Sequence, residues 1–219
     1  MSAFDAESLD ANGFVILHAV LDEPWLAELR DVVERGEESP GGTVHTQVDL
    51  AAPPVQRLIT CPAALQAARQ VTAAPFRLFA IHARAPTLVN GRQKLHADWT
   101  ERTHHDDPFA GITVLWLLDA FESDNGATRV VPGTHRQARQ IPRQWRETDS
   151  HPDEHLVVAP AGSALVFNCH LWHAGTENES GAPRRVIQSQ YIARSHIGPH
   201  MHPPSAPDHA PPEVAALLR

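Results

Sequence analysis

The sequence predicts a mainly β protein, an antiparallel sandwich or barrel with flanking helices. Three observations carry that reading. From Phe76 onward, short apolar and β-branched segments recur: Phe76–Ala85, Gln93–Asp98, Ile112–Leu118, Thr128–Val131, His155–Val158, Ala164–Phe167 and Arg185–Ala193. Turn signals separate them at Asn90-Gly91, Asp124-Asn125-Gly126, Pro132-Gly133, Pro160-Ala161-Gly162 and Gly181-Ala182-Pro183. Helical patterns concentrate before residue 70. Short strands punctuated at this spacing suit closed or stacked antiparallel sheets.

The elements run in order from the start. Ala6 to Ala11 reads as a short helix, ended by the turn signal Asn12-Gly13. Phe14-Val15-Ile16-Leu17 is an apolar run typical of a buried strand. Asp22-Glu23-Pro24 caps a helix from Trp25 to about Arg35, with Leu26, Leu29, Val32 and Val33 on one side, and Glu38 to Gly42 closes it. Pro62 suits the first turn of another helix over 62–70. After the strands, Pro203 to Pro212 is expected to be extended, and Glu213–Leu218 to add a terminal helix.

At 219 residues the chain is large enough for one domain with a substantial core. A net charge of -8 argues against a nucleic-acid surface, which is normally basic. No apolar run is long enough to span a membrane. The opening Met1–Glu7 lacks the basic start and apolar stretch of a signal peptide, and two cysteines, Cys61 and Cys169, are too few for a disulfide framework. A cytoplasmic protein is the expectation.

The chemistry is concentrated at two places. In His96-Ala97-Asp98, alternation along a strand points both polar side chains the same way. Lys94 shares that face, and a row of buried charged groups would be costly without a ligand. A later histidine, His170 or His173, would complete two imidazoles and one carboxylate around a metal. His173 is favoured by the residues after it: Gly175, Asn178, Ser180 and then Pro183-Arg184-Arg185 opening an apolar strand. Such a facial triad leaves coordination positions open and points to non-haem Fe(II) oxygenases. Arg184, eleven residues beyond His173, is placed to hold the far carboxylate of a 2-oxo acid.

Three stretches carry a family resemblance: Leu95-His96-Ala97-Asp98-Trp99, Asn125–Arg136, and Trp172-His173 through Arg184-Arg185. The start, Asn12–Leu17 and Val20-Leu21-Asp22, fits as well. In this order they resemble the phytanoyl-CoA dioxygenase family of Fe(II)/2-oxoglutarate oxygenases, over about residues 4 to 195. The resemblance implies a double-stranded β-helix, a cupin-like jelly-roll flanked by helices. It implies a single oxygenase domain over 1–219: helical support mainly at 1–70, the jelly-roll at about 76–195, and a Pro-rich tail at 196–219. The metal ligands carry over as His96, Asp98 and His173, and the co-substrate arginine as Arg184, with Arg185 as runner-up because a one-residue slip flips the face. Thr113 and Lys94 are further candidates for binding the co-substrate. His135 is expected to be structural, and His170 structural or supporting.

The implied cofactors are Fe(II), 2-oxoglutarate as co-substrate, and O2. The expected reaction is hydroxylation of an unactivated C–H bond with release of succinate and CO2. Family-like halogenases carry Ala or Gly at the carboxylate position, whereas Asp98 is intact. His82 and Arg84 share one strand face, and Gln188 and Gln190 share another with Arg184, which suits a small polar or anionic substrate; an amino acid or other small metabolite is the expected class. The expected partner is therefore a small molecule, with no nucleic acid and no membrane, and a monomer or homodimer is ordinary. One rival class is a cupin-like metal hydrolase or isomerase without 2-oxoglutarate, which has no use for Arg184; the other is a non-catalytic jelly-roll that binds a small molecule or protein, which a damaged triad would have supported.

Overall fold

The computed structural model describes residues 5–35, 38–39, 44–85, 92–99, 102–147 and 150–219. The expected turn at Asn90-Gly91 and residues 40–42 of the expected helix closure lie outside them. Helix α1 (Ala6–Asn12) starts where the Asp5 carboxylate accepts the Ser8 N–H at 2.9 Å, satisfying an otherwise orphaned donor. It stops at Gly13, whose φ of 84° lies in the left-handed region that side chains disfavour. Next come β1 (Phe14–Leu17), α2 (Glu23–Arg35), β2 (Glu38–Ser39), β3 (Val44–Thr46), α3 (Pro53–Ile59), α4 (Pro62–Thr72) and β4 (Phe76–Ala85). Helix α2 begins earlier than Trp25 because Asp22 is its cap, with Oδ1 accepting the Trp25 N–H at 3.0 Å. Helix α3 is not apparent from the sequence pattern. Its paired prolines look like a break, yet at the first helical turn proline's missing N–H costs nothing.

The second half comprises β5 (Gly111–Leu117), β6 (Thr128–Val130), α5 (Arg143–Glu147), β7 (His155–Leu156), β8 (Ala164–Asn168), β9 (His173–Gly175), β10 (Val186–Ala193) and α6 (Pro212–Leu218). Among the described residues seven strands form one sheet, in the order β1-β8-β5-β10-β4-β3-β2, and three form another, β7-β6-β9. Every pairing is antiparallel. The two sheets pack face to face as a jelly-roll. No helix among the described residues is long and apolar enough to cross a membrane.

The large sheet has two differently employed faces. Directly opposed residues share a face, so the registers assign Val15, Val114, Trp116, Val166, Ile187 and Tyr191 to the outer one. These pack with Leu26 and Leu29 of α2, Leu58 and Ile59 of α3, and Ala64, Ala67 and Ala68 of α4. The inner face carries Leu115, Leu117, Leu165, Phe167 and Val186, which close against Phe121, Val130, Val157 and Ala159 on the side of the small sheet. Each such aliphatic or aromatic side chain contributes about 1.5–3 kcal/mol through burial. At Gly111 an added Cβ would lie 1.9 Å from the Tyr191 carbonyl oxygen, so β5 can run this close to β10 only with glycine there.

One expected strand is not formed. Residues 93–98 are extended but join the small sheet by a single reciprocal pair, His96 N–H to His173 O at 3.0 Å and His173 N–H to His96 O at 2.8 Å. The neighbouring bonds, Gln93 N–H to Gly175 O and Trp99 N–H to Cys169 O, fall out of that pair's register, so no ladder propagates. Leu95 nonetheless packs away from the ligands, with Val131, Ile141, Trp172 and Ala174, and Ala97 lies against the same cluster. Strand β9 escapes a sequence reading because three residues are too few to display a period.

Candidate functional site

The reciprocal pair places the two histidines directly opposite each other, their ring centroids 4.4 Å apart. Each ring is aimed by its own chain: His96 Nδ1 donates to Lys94 O at 2.9 Å, and His173 Nδ1 donates to Leu171 O at 2.9 Å. With Nδ1 occupied as donor, Nε2 is the nitrogen of each ring left to face a metal. Asp98 comes in beside them, with Oδ1 3.6 Å from His173 Nε2. One ligand atom from each of the three residues lies within 4.8 Å of the others. Two imidazoles and a carboxylate on one side of a small space form a donor set suited to a divalent transition metal.

Electrostatics keeps the three groups ready to ligate. Burial opposes ionisation of Asp98, but the neighbouring His173, the Thr113 hydroxyl, His96 and Gln190 together hold its pKa below the ordinary carboxylate value. Burial is the main reason that the His173 pKa falls to about 4, although Asp98 pulls it upward. At neutral pH the pair is therefore a carboxylate beside a neutral imidazole and not an ion pair. The Phe167 ring packs against His173 with centroids 4.5 Å apart.

Thr113 is on the inner face of β5, and its Oγ1 donates to Asp98 Oδ2 at 2.5 Å. Gln190 Nε2 reaches that hydroxyl at 3.4 Å, and Cys169 Sγ lies 3.6 Å from it. The threonine thus orients the carboxylate. Lys94 is exposed, and its carbonyl, not its ammonium, supports His96.

The two adjacent arginines differ completely. Arg185 forms a fork with Asp119, Nε to Oδ2 at 2.9 Å and Nη2 to Oδ1 at 3.0 Å, and reaches Glu34 at 2.8 Å. Arg184 is 9% exposed, lies over the Phe121 ring at 4.9 Å, and has a buried Nε with no hydrogen-bond partner. Burial, reinforced by the charge of Arg84, lowers its pKa to about 10. A buried guanidinium with no carboxylate partner among the described residues is expensive to maintain. An anionic ligand between the sheets would relieve it.

His170 does not join the triad. Its Nε2 accepts the Ala110 N–H at 3.1 Å, and its own N–H donates to Asn168 Oδ1 at 3.0 Å. His135 Nε2 donates to Asp10 O at 3.0 Å, tying α1 to the loop after β6, while Nδ1 is buried without a partner. Burial takes both pKa values down to about 4. A histidine with a folded pKa below its unfolded value of 6.5 contributes stability that is complete above 6.5 and lost as pH falls towards 4. We expect roughly 2–3 kcal/mol per histidine to disappear over that window. Urea midpoints measured from pH 7 to 4 will show the decline, and His135→Gln will remove only the share of that one histidine; a level wild-type profile down to pH 4.5 would contradict this assignment.

Sequence reasoning alone does not reveal Phe121 beneath Arg184, Phe167 against His173, or Cys169 beside Thr113. Thr113 alone leaves a trace, as the polar member of the run Ile112–Leu117.

Comparison with known proteins adds to this geometry. Residues 9–186 match the family described as Phytanoyl-CoA dioxygenase (PhyH). An uncharacterized protein of Mycobacterium tuberculosis is 34% identical over 94 residues, 40% of this chain, and the match spans only 33% of that relative's own length. The ectoine dioxygenase of Bordetella parapertussis is 24% identical over 232 residues, covering 87% of this chain and 75% of that one. HygX from Streptomyces hygroscopicus, in a crystal structure with nickel, 2-oxoglutarate and hygromycin B bound, shares the fold. Its TM-score is 0.74 at 21% identity, over 89% of this chain and 88% of that chain.

Proposed function

The chain belongs to the phytanoyl-CoA dioxygenase family, and on that premise we propose that it is a non-haem Fe(II)- and 2-oxoglutarate-dependent dioxygenase. Its reaction is hydroxylation of an unactivated C–H bond in a small polar or amino-acid-like metabolite, with release of succinate and CO2. The observation that carries this reading is Arg184, a buried guanidinium with no carboxylate partner among the described residues, in the same inter-sheet interior as the His96, Asp98 and His173 ligand set. A hydrolase or isomerase needs the three ligands but has no use for that cation.

The residues divide the work. His96, Asp98 and His173 would hold the ferrous ion, which when bound supplies the capacity to activate dioxygen. Arg184 would fix the far carboxylate of 2-oxoglutarate through a planar fork of donors. Thr113 and Gln190 keep the Asp98 carboxylate turned toward the histidines. Leu115, Leu117, Phe167 and Val186 make the surrounding wall apolar, which excludes water from the reacting atoms. The intact carboxylate at Asp98 favours hydroxylation over halogenation.

An anaerobic titration tests the reading. Adding Fe(II) and then 2-oxoglutarate to apo-protein should produce a weak visible charge-transfer band that requires both. A band absent while iron is demonstrably bound would favour the hydrolase or isomerase class.

A further inference from the structure

Among the described residues, the inner face of the large sheet carries a charged group that the proposed chemistry leaves unused, Arg84. Registers place three rows on that face: Ala80, Gln190, Thr113 and Phe167; then His82, Gln188, Leu115 and Leu165; then Arg84, Val186 and Leu117. Thr113 in the first row touches Asp98, so Arg84 stands two rows from the metal ligands on the same wall. Its Nε donates to His82 Nε2 at 2.9 Å, which anchors the inner end of the guanidinium. No protein acceptor among the described residues takes its terminal nitrogens, and no carboxylate among them pairs with it. Burial lowers its pKa while Asp98 supports its charge, and Arg84 in turn opposes charge on both His173 and Arg184. The register sets its side chain on the face of the large sheet that carries Thr113, the residue bonded to Asp98.

A count of charges then distinguishes its role. A ferrous ion, the Asp98 carboxylate, the two carboxylates of 2-oxoglutarate and the Arg184 guanidinium cancel. Arg84 remains as a single positive charge in a confined, half-buried place, where an unmatched charge is costly. A neutral substrate would leave it unmatched, and a dianionic phosphate would exceed it. We propose that the primary substrate carries a carboxylate and that Arg84, steadied by His82, pairs with it. The pairing fixes one end of the substrate on the large sheet and so selects which carbon faces the metal. This inference rests on the oxygenase reading above.

The test uses the full chain loaded anaerobically with Fe(II) and 2-oxoglutarate. The probes are L-amino acids, each matched with its carboxamide, and binding is followed by the perturbation of the visible band and by thermal melting. At least one acid should bind, with its carboxamide weaker by roughly 30-fold or more. Arg84→Gln should erase that preference, while Arg84→Lys should keep part of it. Acids and carboxamides that never differ would overturn the proposal, as would an acid preference that survives in Arg84→Gln. If Arg84→Gln instead loses the 2-oxoglutarate band, Arg84 serves the co-substrate and the proposal is wrong. A wild-type protein with bound iron and no band is a separate failure: the oxygenase reading falls and takes this inference with it.

Discussion

Replacing Arg184 with methionine will raise the KM for 2-oxoglutarate by roughly 100-fold while leaving the apo-protein at least as stable as wild type. The loss of affinity comes from removing one partner of a desolvated charge pair, which costs about 2–5 kcal/mol. The retained stability comes from the same burial with the opposite sign. Arg184 Nε has no partner among the described residues, and the side chain is 9% exposed. Methionine keeps the length of the stem over Phe121 and removes the unpaired charge, so its packing loss is small against several kcal/mol of charge desolvation. Adding 2-oxoglutarate with metal should then raise the melting temperature of wild type and scarcely move that of the variant. Wild-type KM in Arg184→Met would remove the residue from the co-substrate site. A sharply destabilised apo-variant would show that the guanidinium has a structural partner after all.

Asp98→Ala will abolish 2-oxoglutarate turnover and lower metal affinity by more than 100-fold, because one of three ligands and the only anionic one is gone. Thr113→Val separates ligation from orientation. It keeps the carboxylate but removes the hydroxyl that donates to Oδ2 at 2.5 Å, and losses of this kind cost roughly 10–100-fold in affinity or activity. Metal titration of wild type and both variants should therefore give a graded series, with Thr113→Val between the extremes. Equal affinities for Thr113→Val and wild type would mean that Gln190 and the histidines alone fix Asp98.

The pairing of His96 with Asp98 is legible in the sequence because its spacing is local: the two need only strand-like alternation, and an extended backbone supplies it even without a ladder. Strand β4 is legible to the residue, since ten residues give a pattern room to show itself. Strand β9 and helix α3 are not, for they are short and their boundaries are set by pairing and by proline placement. The choice between Arg184 and Arg185 turns on a single residue of register, and only the positions of Asp119 and Phe121 display it. Lys94 stands out in the sequence for sharing a face with the ligands, yet its side chain is exposed and its carbonyl is the group that matters.

The main-chain clasp between His96 and His173 bears on how such a protein can diverge. Two peptide groups, joined by bonds of 3.0 and 2.8 Å, set the distance between the ligand histidines, and two more carbonyls set the angle of their rings. Peptide groups are the same in every sequence. Substitutions on the facing wall, at His82, Arg84 or Gln188, can therefore accumulate without loosening the clasp. The spacing of the two histidines is carried by the backbone, and the wall that faces them is free to drift.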